Sequence, residues 1–275
     1  MNNIKSHFNF FKHNFGLIIL NAPHRIFNQD RKTINAIIKE YNSFFIRFNS
    51  NWDIEQERPF WFVIKDYFGG FEELSSNTRN QIRKGQKNFE IRKTDYKELL
   101  EFGYSIYCNS YNIENIDVTE EKFKAGIEEI KDERVFWGIY SDNTLVGYCF
   151  VRLIDNTCNY SHIKINKDQI RLYPIYALIY NLNNYYLTTE KVLYINAGAK
   201  SLSHETNFQD LLINKFKFRK AYCNLEVQYR KSLKALIFII SPFRFVLKSI
   251  PFNIFKKITV LLEQEKIRKE CKNHH

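Results

Sequence analysis

The chain has 275 residues, of which 44% are hydrophobic, and its formal net charge at pH 7 is +11. This composition excludes an intrinsically disordered chain, and the length suits one large domain or two small ones. Residues 231–275 hold ten Lys/Arg and three Glu, so +7 of the excess charge lies in the C-terminal tail. Such a charge suits a nucleic acid, an anionic lipid or an acidic cofactor.

The cysteines and the N-terminus predict the compartment. None of the five cysteines forms a CxxC pair, which argues against a zinc site and against thioredoxin-type chemistry, so no metal is expected. The N-terminal residues lack the long apolar run of a secretory signal. Together with the odd cysteine count, this favours a reducing cytoplasm.

The first part of the chain alternates between strand and helix patterns. A strand is predicted over residues 15–20, and a helix capped by Asp30 is predicted to follow it through an apolar stripe of Ile34, Ile37, Ile38, Tyr41, Phe44, Phe45 and Phe48. Residues 52–59 are predicted as a loop and residues 60–65 as a buried strand. The next helix is expected over residues 71–84 and is expected to end at Gly85.

Residues 79–93 carry six Lys/Arg against one Glu. Arg79, Arg83 and Lys87 are spaced by four residues, so they are expected to share one face of the helix. A solvated helix face explains this pattern. An anion site for phosphate or for a tRNA backbone explains it as well.

The middle of the chain predicts an antiparallel meander. After two helices, strands are expected over residues 134–140, 144–154 and 157–165, joined by the Asp-Asn turns at 142–143 and 155–156. The third strand changes phase at His162: Cys158, Tyr160 and His162 share one side, and Ile163 and Ile165 take the other. A β-bulge near His162 would reconcile the two runs. Pro174 is expected to open the next helix.

Residues 191–230 read as strand, polar loop, helix and strand. The strand over residues 192–195 leads into the loop 196–207, and Thr206 with Gln209 has the spacing of a capping box. The last strand alternates, with Glu226 on its polar side. Three segments are therefore predicted: an N-terminal α/β half (1–87), a central domain (88–230) and a basic amphipathic helical tail (231–275).

The element order over residues 89–229 resembles the GNAT acyltransferases. It implies a mixed, mostly antiparallel central sheet flanked by helices. Residues 71–93 resemble the FemAB-like branch, in which a partial N-terminal GNAT-like half comes first. The chain departs from the glycine-rich turn that binds the coenzyme A pyrophosphate in many GNAT enzymes, because Pro174 and Tyr176 stand where that turn has glycines.

The resemblance implies a site in which an amine attacks an acyl group. His162 is the candidate base, Tyr160 the candidate acid of the leaving group, and Glu226 an alternative base. A backbone N–H at Ile163 or Lys164 is expected to meet the donor carbonyl. Further donor contacts are assigned to Arg171, Tyr173, Asn196 and Asn207. The alternative interpretations are that His162 is structural, that Tyr160 belongs to the core and that Glu226 is merely solvated.

The loop 196–207 is expected to position the acceptor through Lys200, Ser201 and His204. Ser201 and His204 also fit a nucleophile and its base, but no GxSxG turn surrounds the serine, which argues against a hydrolase. The tail alternates apolar and basic residues without reaching the length of a membrane span. It is read either as an amphipathic hairpin at an anionic membrane surface or as a helical pair packed on the body of the protein or in a dimer contact.

The first functional hypothesis is acyl transfer from acetyl-CoA or another acyl-CoA, without a metal, to an amine acceptor such as an amino sugar in cell-envelope or polysaccharide synthesis. The second is a FemAB-like transferase that uses aminoacyl-tRNA. The third is a GNAT-like binding module without catalysis. A cytoplasmic protein held peripherally on the inner membrane face, acting on a small or lipid-linked acceptor, is expected.

Overall fold

The computed structural model describes residues 8–13, 15–110, 118–202, 207–243 and 253–273. These residues form two compact units. Unit 1 comprises the described residues within 1–62, 199–206 and 220–275, and unit 2 comprises those within 63–198 and 207–219. The three predicted segments divide the chain at other positions, and their standing as domains stays a prediction.

The strands, in chain order, are β1 (Phe10–His13), β2 (Gly16–Ile19), β3 (Phe45–Ile54), β4 (Phe60–Lys65), β5 (Glu90–Lys93), β6 (Val135–Ser141), β7 (Thr144–Ile154), β8 (Thr157–Ile165), β9 (Tyr194–Ala199) and β10 (Arg219–Tyr229). The helices are α1 (Arg31–Glu40), α2 (Ser76–Asn88), α3 (Tyr96–Glu98), α4 (Tyr104–Asn109), α5 (Glu120–Ile130), α6 (Pro174–Asn184), α7 (Asn207–Phe216), α8 (Lys231–Ile240) and α9 (Asn253–Asn273). Shorter helical turns cover Leu99–Gly103, Lys167–Leu172, Tyr185–Thr189 and Ser241–Phe243.

Unit 1 contains the strand order β1-β2-β3-β10. The β1–β2 and β3–β10 pairs are antiparallel, and the β2–β3 pair is parallel. Helix α1 closes one core through Ile34, Ile37 and Ile38, which pack with Leu17 and Ile46. The side chain of Asp30 accepts the Thr33 N–H, so it is the predicted N-cap of this helix.

Unit 2 contains the strand order β9-β8-β7-β6-β5. The meander β6-β7-β8 and the β5–β6 pair are antiparallel, whereas β8 and β9 are parallel. Helices α4 and α5 contribute a core of Ile106, Phe123 and Ile127 against Tyr148 and Phe150 of β7. The predicted fold class, a mixed and mostly antiparallel sheet flanked by helices, is confirmed.

The two turns of the meander are as predicted. Asp142 and Asn143 have φ values of 47° and 63°, and Asp155 and Asn156 have values of 48° and 56°. Both central residues of a type I′ turn need a positive φ, which Asn and Asp adopt more readily than most residues. These side chains therefore set the hairpins that hold β7 against its neighbours.

The predicted length of the first helix is wrong. Helix α1 ends at Glu40, Asn42 takes a left-handed φ of 45°, and Phe45 and Phe48 lie in β3, paired with β10. Phe45 and Phe48 are three residues apart, which fits a helical stripe, but in β3 they point to opposite faces and pack into two different cores. Part of the predicted loop at 52–59 also belongs to β3, and β1 was not predicted.

The tail forms two helices in unit 1, and its residues 244–252 lie outside the described part of the chain. Leu262, Ile267 and Cys271 of α9 are buried. Helix α9 therefore follows the expectation of a helix packed on the body. Helix α8 buries Ile237 but leaves Leu236, Phe238 and Ile239 exposed. Within the described residues, every helix is too short or too polar to cross a bilayer.

Candidate functional site

Strands β8 and β9 separate after three paired residues. Their register joins Thr157 to Tyr194, Cys158 to Ile195 and Asn159 to Asn196. Strand β8 continues to Ile165 and β9 to Ala199 without further pairing in the described ladder. Backbone groups on this edge of β8 therefore face an opening instead of a neighbouring strand. An unpaired strand edge can hydrogen-bond an extended ligand, as in β-strand addition.

Two asparagine side chains hold the point where the strands part. Asn196 Nδ2 donates to Asn159 Oδ1 at 2.7 Å, and Asn159 Nδ2 lies 3.2 Å from Thr157 Oγ1. Asn196 Oδ1 accepts the Gly198 N–H at 2.9 Å. Gly198 has a φ of 94°, which turns β9 away at this point and which an L side chain adopts only with strain. Asn196 was predicted to contact the acyl donor, but part of its side-chain amide is engaged in these hydrogen bonds within the protein.

The predicted bulge is present in β8. Tyr148 of β7 faces Lys164, and Phe150 faces Ser161, so His162 and Ile163 together stand opposite Cys149. His162 has a left-handed φ of 50°. A bulge of this kind leaves one residue out of the ladder. That a backbone N–H near Ile163 meets a developing oxyanion stays a prediction.

The bulge also turns the His162 side chain. In a regular strand Ser161 and His162 would point to opposite faces, but the His162 ring lies 5.6 Å from the ring of Phe150, the partner of Ser161. This contact takes part of an otherwise exposed side chain out of water. Partial burial, together with the positive charge of Arg134, lowers the pKa of His162 below its ordinary value. The imidazole is therefore neutral at pH 7 and able to accept a proton.

Tyr160 does not join His162. Its hydroxyl donates to Asn183 Oδ1 of α6 at 2.8 Å, and its ring packs near Phe218. Burial raises the pKa of Tyr160 well above its ordinary value. The side chain thus holds its proton and is engaged on the α6 side, whereas the exposed His162 side chain contacts the ring of Phe150. The expectation that Tyr160 and His162 share one side is wrong, because the extra residue of the bulge breaks the alternation.

The other predicted residues of unit 2 surround this strand. Ile163 and Lys164 are half-buried, and burial lowers the pKa of Lys164, whose Nζ lies 5.6 Å from the Tyr107 ring. Arg171 is exposed in the turn before α6, and Asn207 is exposed as the first residue of α7. Their roles toward a donor stay predictions.

The first turn of α6 has little to offer a phosphate. Tyr173, at a left-handed φ of 62°, donates its N–H to Ile170 O, and its own carbonyl accepts from Tyr176 and from Ala177. Pro174, the predicted first residue of the helix, has no N–H. At most the N–H of Ile175 is left to meet an anion there. The backbone cradle that a pyrophosphate requires is therefore mostly used up.

Helix α2 packs directly on this turn through Gly85. A Cβ built on Gly85 would lie 2.5 Å from Tyr173 O and 3.0 Å from Ala177 Cβ. The prediction that Gly85 ends the helix is wrong, since α2 continues to Asn88. The glycine is needed because two backbones approach closely, not because a helix terminates.

Helix α2 presents basic side chains beside α6. Arg83, Lys84 and Lys87 are exposed. The Arg83 guanidinium lies 5.1 Å from the Phe71 ring, and Lys84 Nζ lies 5.2 Å from the Tyr173 ring. Within the described residues, none of the three lysine and arginine side chains forms an ion pair, so their charge is open to a ligand.

Strand β5 adds Lys93 on the α6 side of the sheet, whereas Arg92, the preceding residue of the strand, points to the opposite face. Lys93 Nζ donates to the Tyr185 hydroxyl at 2.7 Å, just after the end of α6. The Arg92 guanidinium lies 3.9 Å from the Tyr140 ring and 3.7 Å from one oxygen of Glu90. We call Arg83, Lys84, Lys87 and Lys93 the basic face. Cations interleaved with aromatic rings are typical of surfaces that bind nucleic acid.

Three predicted residues lie in unit 1. Glu226 accepts a hydrogen bond from Ser50 Oγ at 3.2 Å. Lys200 Nζ donates to Pro59 O at 2.9 Å and lies 4.3 Å from the Trp61 ring. Ser201 is half-buried nearby in sequence. His204 and the Thr206 capping position lie outside the described residues.

Sequence reasoning missed Asn159, Gly85 and Arg134. The register of a parallel pair would have placed Asn159 opposite Asn196, whereas nothing in the sequence marks the approach at Gly85. The described residues contain no group of three or more His, Cys, Asp or Glu side chains placed to hold a metal ion.

Comparisons with known proteins establish the fold. No family model matches the chain. No curated protein matches it either. FemX aligns with a TM-score of 0.56 at 8% identity, covering 84% of this chain and 85% of its own. The C-terminal domain of an Agrobacterium fabrum protein named as a lysylphosphatidylglycerol synthetase aligns with a TM-score of 0.55 at 9% identity, covering 84% and 83%. L-PGS from Bacillus licheniformis aligns with a TM-score of 0.50 at 12% identity, covering 86% and 85%. The chain has the GNAT-like fold that these structures share.

Proposed function

We propose that this protein is a GNAT-type transferase that moves an aminoacyl group from an aminoacyl-tRNA to an amine acceptor. The opening between β8 and β9, with the bulge at His162 beside it, carries the proposal. It combines an unpaired strand edge for the donor, a backbone N–H for the oxyanion and a neutral imidazole. Acyl transfer needs these three parts in one place.

The start of α6 favours aminoacyl-tRNA over coenzyme A as the donor. At most one N–H of the first turn is left for a pyrophosphate. The basic face, by contrast, offers four cations along α2 and β5. The resemblance to the FemAB-like branch implies the same donor. The name of the Agrobacterium fabrum protein adds that a similar fold is associated with an aminoacylated lipid.

His162 is the base of the proposed reaction. The acceptor nitrogen attacks the ester carbon of the aminoacyl group, and the carbonyl oxygen takes on negative charge near the unpaired N–H of the bulge. His162 accepts the proton of the attacking amine. The C–N bond forms, the bond from the carbon to the ribose oxygen breaks, and the proton is returned to the leaving hydroxyl. Tyr160 takes no part in this scheme because its hydroxyl is committed to Asn183.

The second candidate is acyl transfer from an acyl-CoA to an amine such as an amino sugar. One observation favours it: an open strand edge suits an extended arm with amide groups, such as that of coenzyme A. The missing donors at α6 count against tight binding of its pyrophosphate. A module without catalysis is the third candidate, favoured by the separation of Tyr160 from His162.

Binding of the two donors separates these candidates. We expect tRNA binding with a steep salt dependence and no comparable binding of acetyl-CoA. The variant Arg83→Gln/Lys84→Gln/Lys87→Gln removes three cations of the basic face. Its logarithmic salt slope is expected to fall by about two to three, since each lost phosphate contact lowers it by about 0.7–0.9.

The matched control is Lys97→Gln/Lys122→Gln/Lys191→Gln, which changes the net charge equally at three exposed positions that do not belong to the basic face. Equal losses in both variants would show only a general charge effect. Micromolar binding of acetyl-CoA without tRNA binding would replace the first candidate with the second. Transfer of a radiolabelled amino acid from a charged tRNA pool to an envelope lipid extract or to amino sugars, lost in His162→Gln, would support the full reaction.

A further inference from the structure

A cavity of about 500 Å³ lies in unit 1, among α1, β10, α8 and α9. It belongs to none of the elements that form the opening between β8 and β9. Its size falls in the range of pockets that take small ligands. Nothing in the proposed transfer requires it, so its chemistry is a separate question.

The cavity is strongly cationic. Five basic side chains and one acidic side chain line it: Arg31, Lys234, Arg268, Lys269, Lys272 and Glu265. Both carboxylate oxygens of Glu265 bind Arg268 at 2.7 Å, and Lys269 lies at 4.0 Å from one of them. Arg31, Lys234 and Lys272 form no ion pair within the described residues. Three cations that line one cavity without an ion-pair partner, beside a single carboxylate already bound to Arg268, indicate an anionic ligand.

The rim of the cavity on α8 has an apolar residue that is open to solvent. Phe238 lines the cavity, yet its side chain is 80% exposed. Leu236 and Ile239 on the same helix are 49% and 64% exposed, while Ile237 points inward and is 4% exposed. The exposed arc of α8 thus lies opposite its buried residue, as in a helix that rests at a membrane interface. A free phosphate ion would use the cations and leave this apolar arc unexplained.

We propose that the cavity binds the phosphate headgroup of an anionic membrane lipid while Leu236, Phe238 and Ile239 enter the acyl layer. Charge complementarity selects an anionic lipid, and the adjoining apolar arc selects a lipid surface over a soluble phosphate. The proposal holds whether or not the protein transfers an aminoacyl group.

The test is binding of the full chain to phospholipid vesicles. Vesicles that contain phosphatidylglycerol are expected to bind the protein, and vesicles of pure phosphatidylcholine are expected to bind it far more weakly. The variant Arg31→Gln/Lys234→Gln/Lys272→Gln should weaken binding about 100-fold, from about fivefold per cation at an anionic surface. These three side chains are exposed, so the variant is expected to fold normally.

Two controls make the result specific. Lys97→Gln/Lys122→Gln/Lys191→Gln alters the charge equally in unit 2 and should leave vesicle binding nearly unchanged. Phe238→Ser should weaken binding at least about tenfold, whereas Ile26→Ser, at another exposed apolar residue of unit 1, should not.

Three outcomes would overturn the proposal. One is an equal loss in the two triple variants, and another is equal binding to both kinds of vesicle. The third is calorimetric binding of soluble glycerol 1-phosphate or tRNA that depends on Arg31, Lys234 and Lys272 while vesicle binding does not.

Discussion

Replacing Gly85 with alanine should destabilise unit 2, although glycine is a poor helix residue. In an open helix this exchange stabilises the protein by about 1 kcal/mol, because alanine loses less conformational freedom on folding. At Gly85 the new methyl group would lie 2.5 Å from Tyr173 O and 3.0 Å from Ala177 Cβ. Overpacking of this kind costs about 1–3 kcal/mol, and a backbone oxygen yields less easily than a flexible side chain. Taking the upper part of that range for a clash with a backbone oxygen, and subtracting the gain of about 1 kcal/mol, we expect a net loss of about 1–2 kcal/mol.

Gly126 supplies the matched control. It also lies inside a helix of unit 2, α5, but a Cβ there would meet no atom within 4 Å. Gly126→Ala should therefore raise the free energy of unfolding by about 1 kcal/mol. Both glycines belong to the same unit, so urea unfolding followed by circular dichroism reports both changes on the same transition.

The sign of the change in unfolding free energy for Gly85→Ala shows whether α2 packs tightly on the first turn of α6. If Gly85→Ala stabilises the protein as much as Gly126→Ala does, helix α2 does not press on the first turn of α6. The Tyr173 carbonyl would then not be held in place by α2, and its use of the N–H groups in the first turn of α6 would no longer argue against pyrophosphate binding. If Gly85→Ala is destabilising, donor binding should also change, since the methyl group displaces Tyr173.

Two further predictions concern the opening between β8 and β9. Asn196→Ala removes the hydrogen bonds to Asn159 and to the Gly198 N–H. We expect the free energy of unfolding to fall by about 1–3 kcal/mol and hydrogen exchange at Gly198 to become faster. Asn207→Ala, at an exposed position, should change neither. For His162, the folded-state pKa lies below 6.5, so a transfer rate that needs the neutral ring should rise through that lowered pKa and stay level at higher pH. Arg134→Gln removes a positive charge that lowers this pKa and should move the acid limb to higher pH; an unchanged pH profile would contradict the role of His162 as base.

The meander could be predicted because its signals are local. The Asp-Asn turns need a positive φ at adjacent positions, and the continuous apolar run of residues 145–151 marks β7 between them. The phase change at His162 predicted the bulge for a similar reason, since a shift of one residue exchanges the two faces of a strand. The Pro174 start of α6 follows from the missing N–H of proline.

The first helix shows where local signals conflict. Phe45 and Phe48 satisfy a helical spacing after Ile38, yet they belong to β3 because Asn42 adopts a left-handed conformation and ends the helix before them. The pairing of Phe45 with Tyr229 and of Phe48 with Glu226 joins residues far apart in the chain. Tertiary pairing of this kind overrides a local pattern, and no window of the sequence contains it.

The geometry of the site depends on three structural features that the sequence does not reveal. The length of the β8–β9 ladder decides where the opening begins, the bulge decides that His162 lies with Phe150 and not with Tyr160, and the approach at Gly85 decides which groups of α6 remain for a donor. Each depends on contact between segments distant in sequence. The residues alone suggested a histidine and a tyrosine acting as a pair. The proposed transfer instead assigns proton abstraction to His162 and donor binding to the basic face, so tRNA binding and the His162 pH profile should respond to different substitutions.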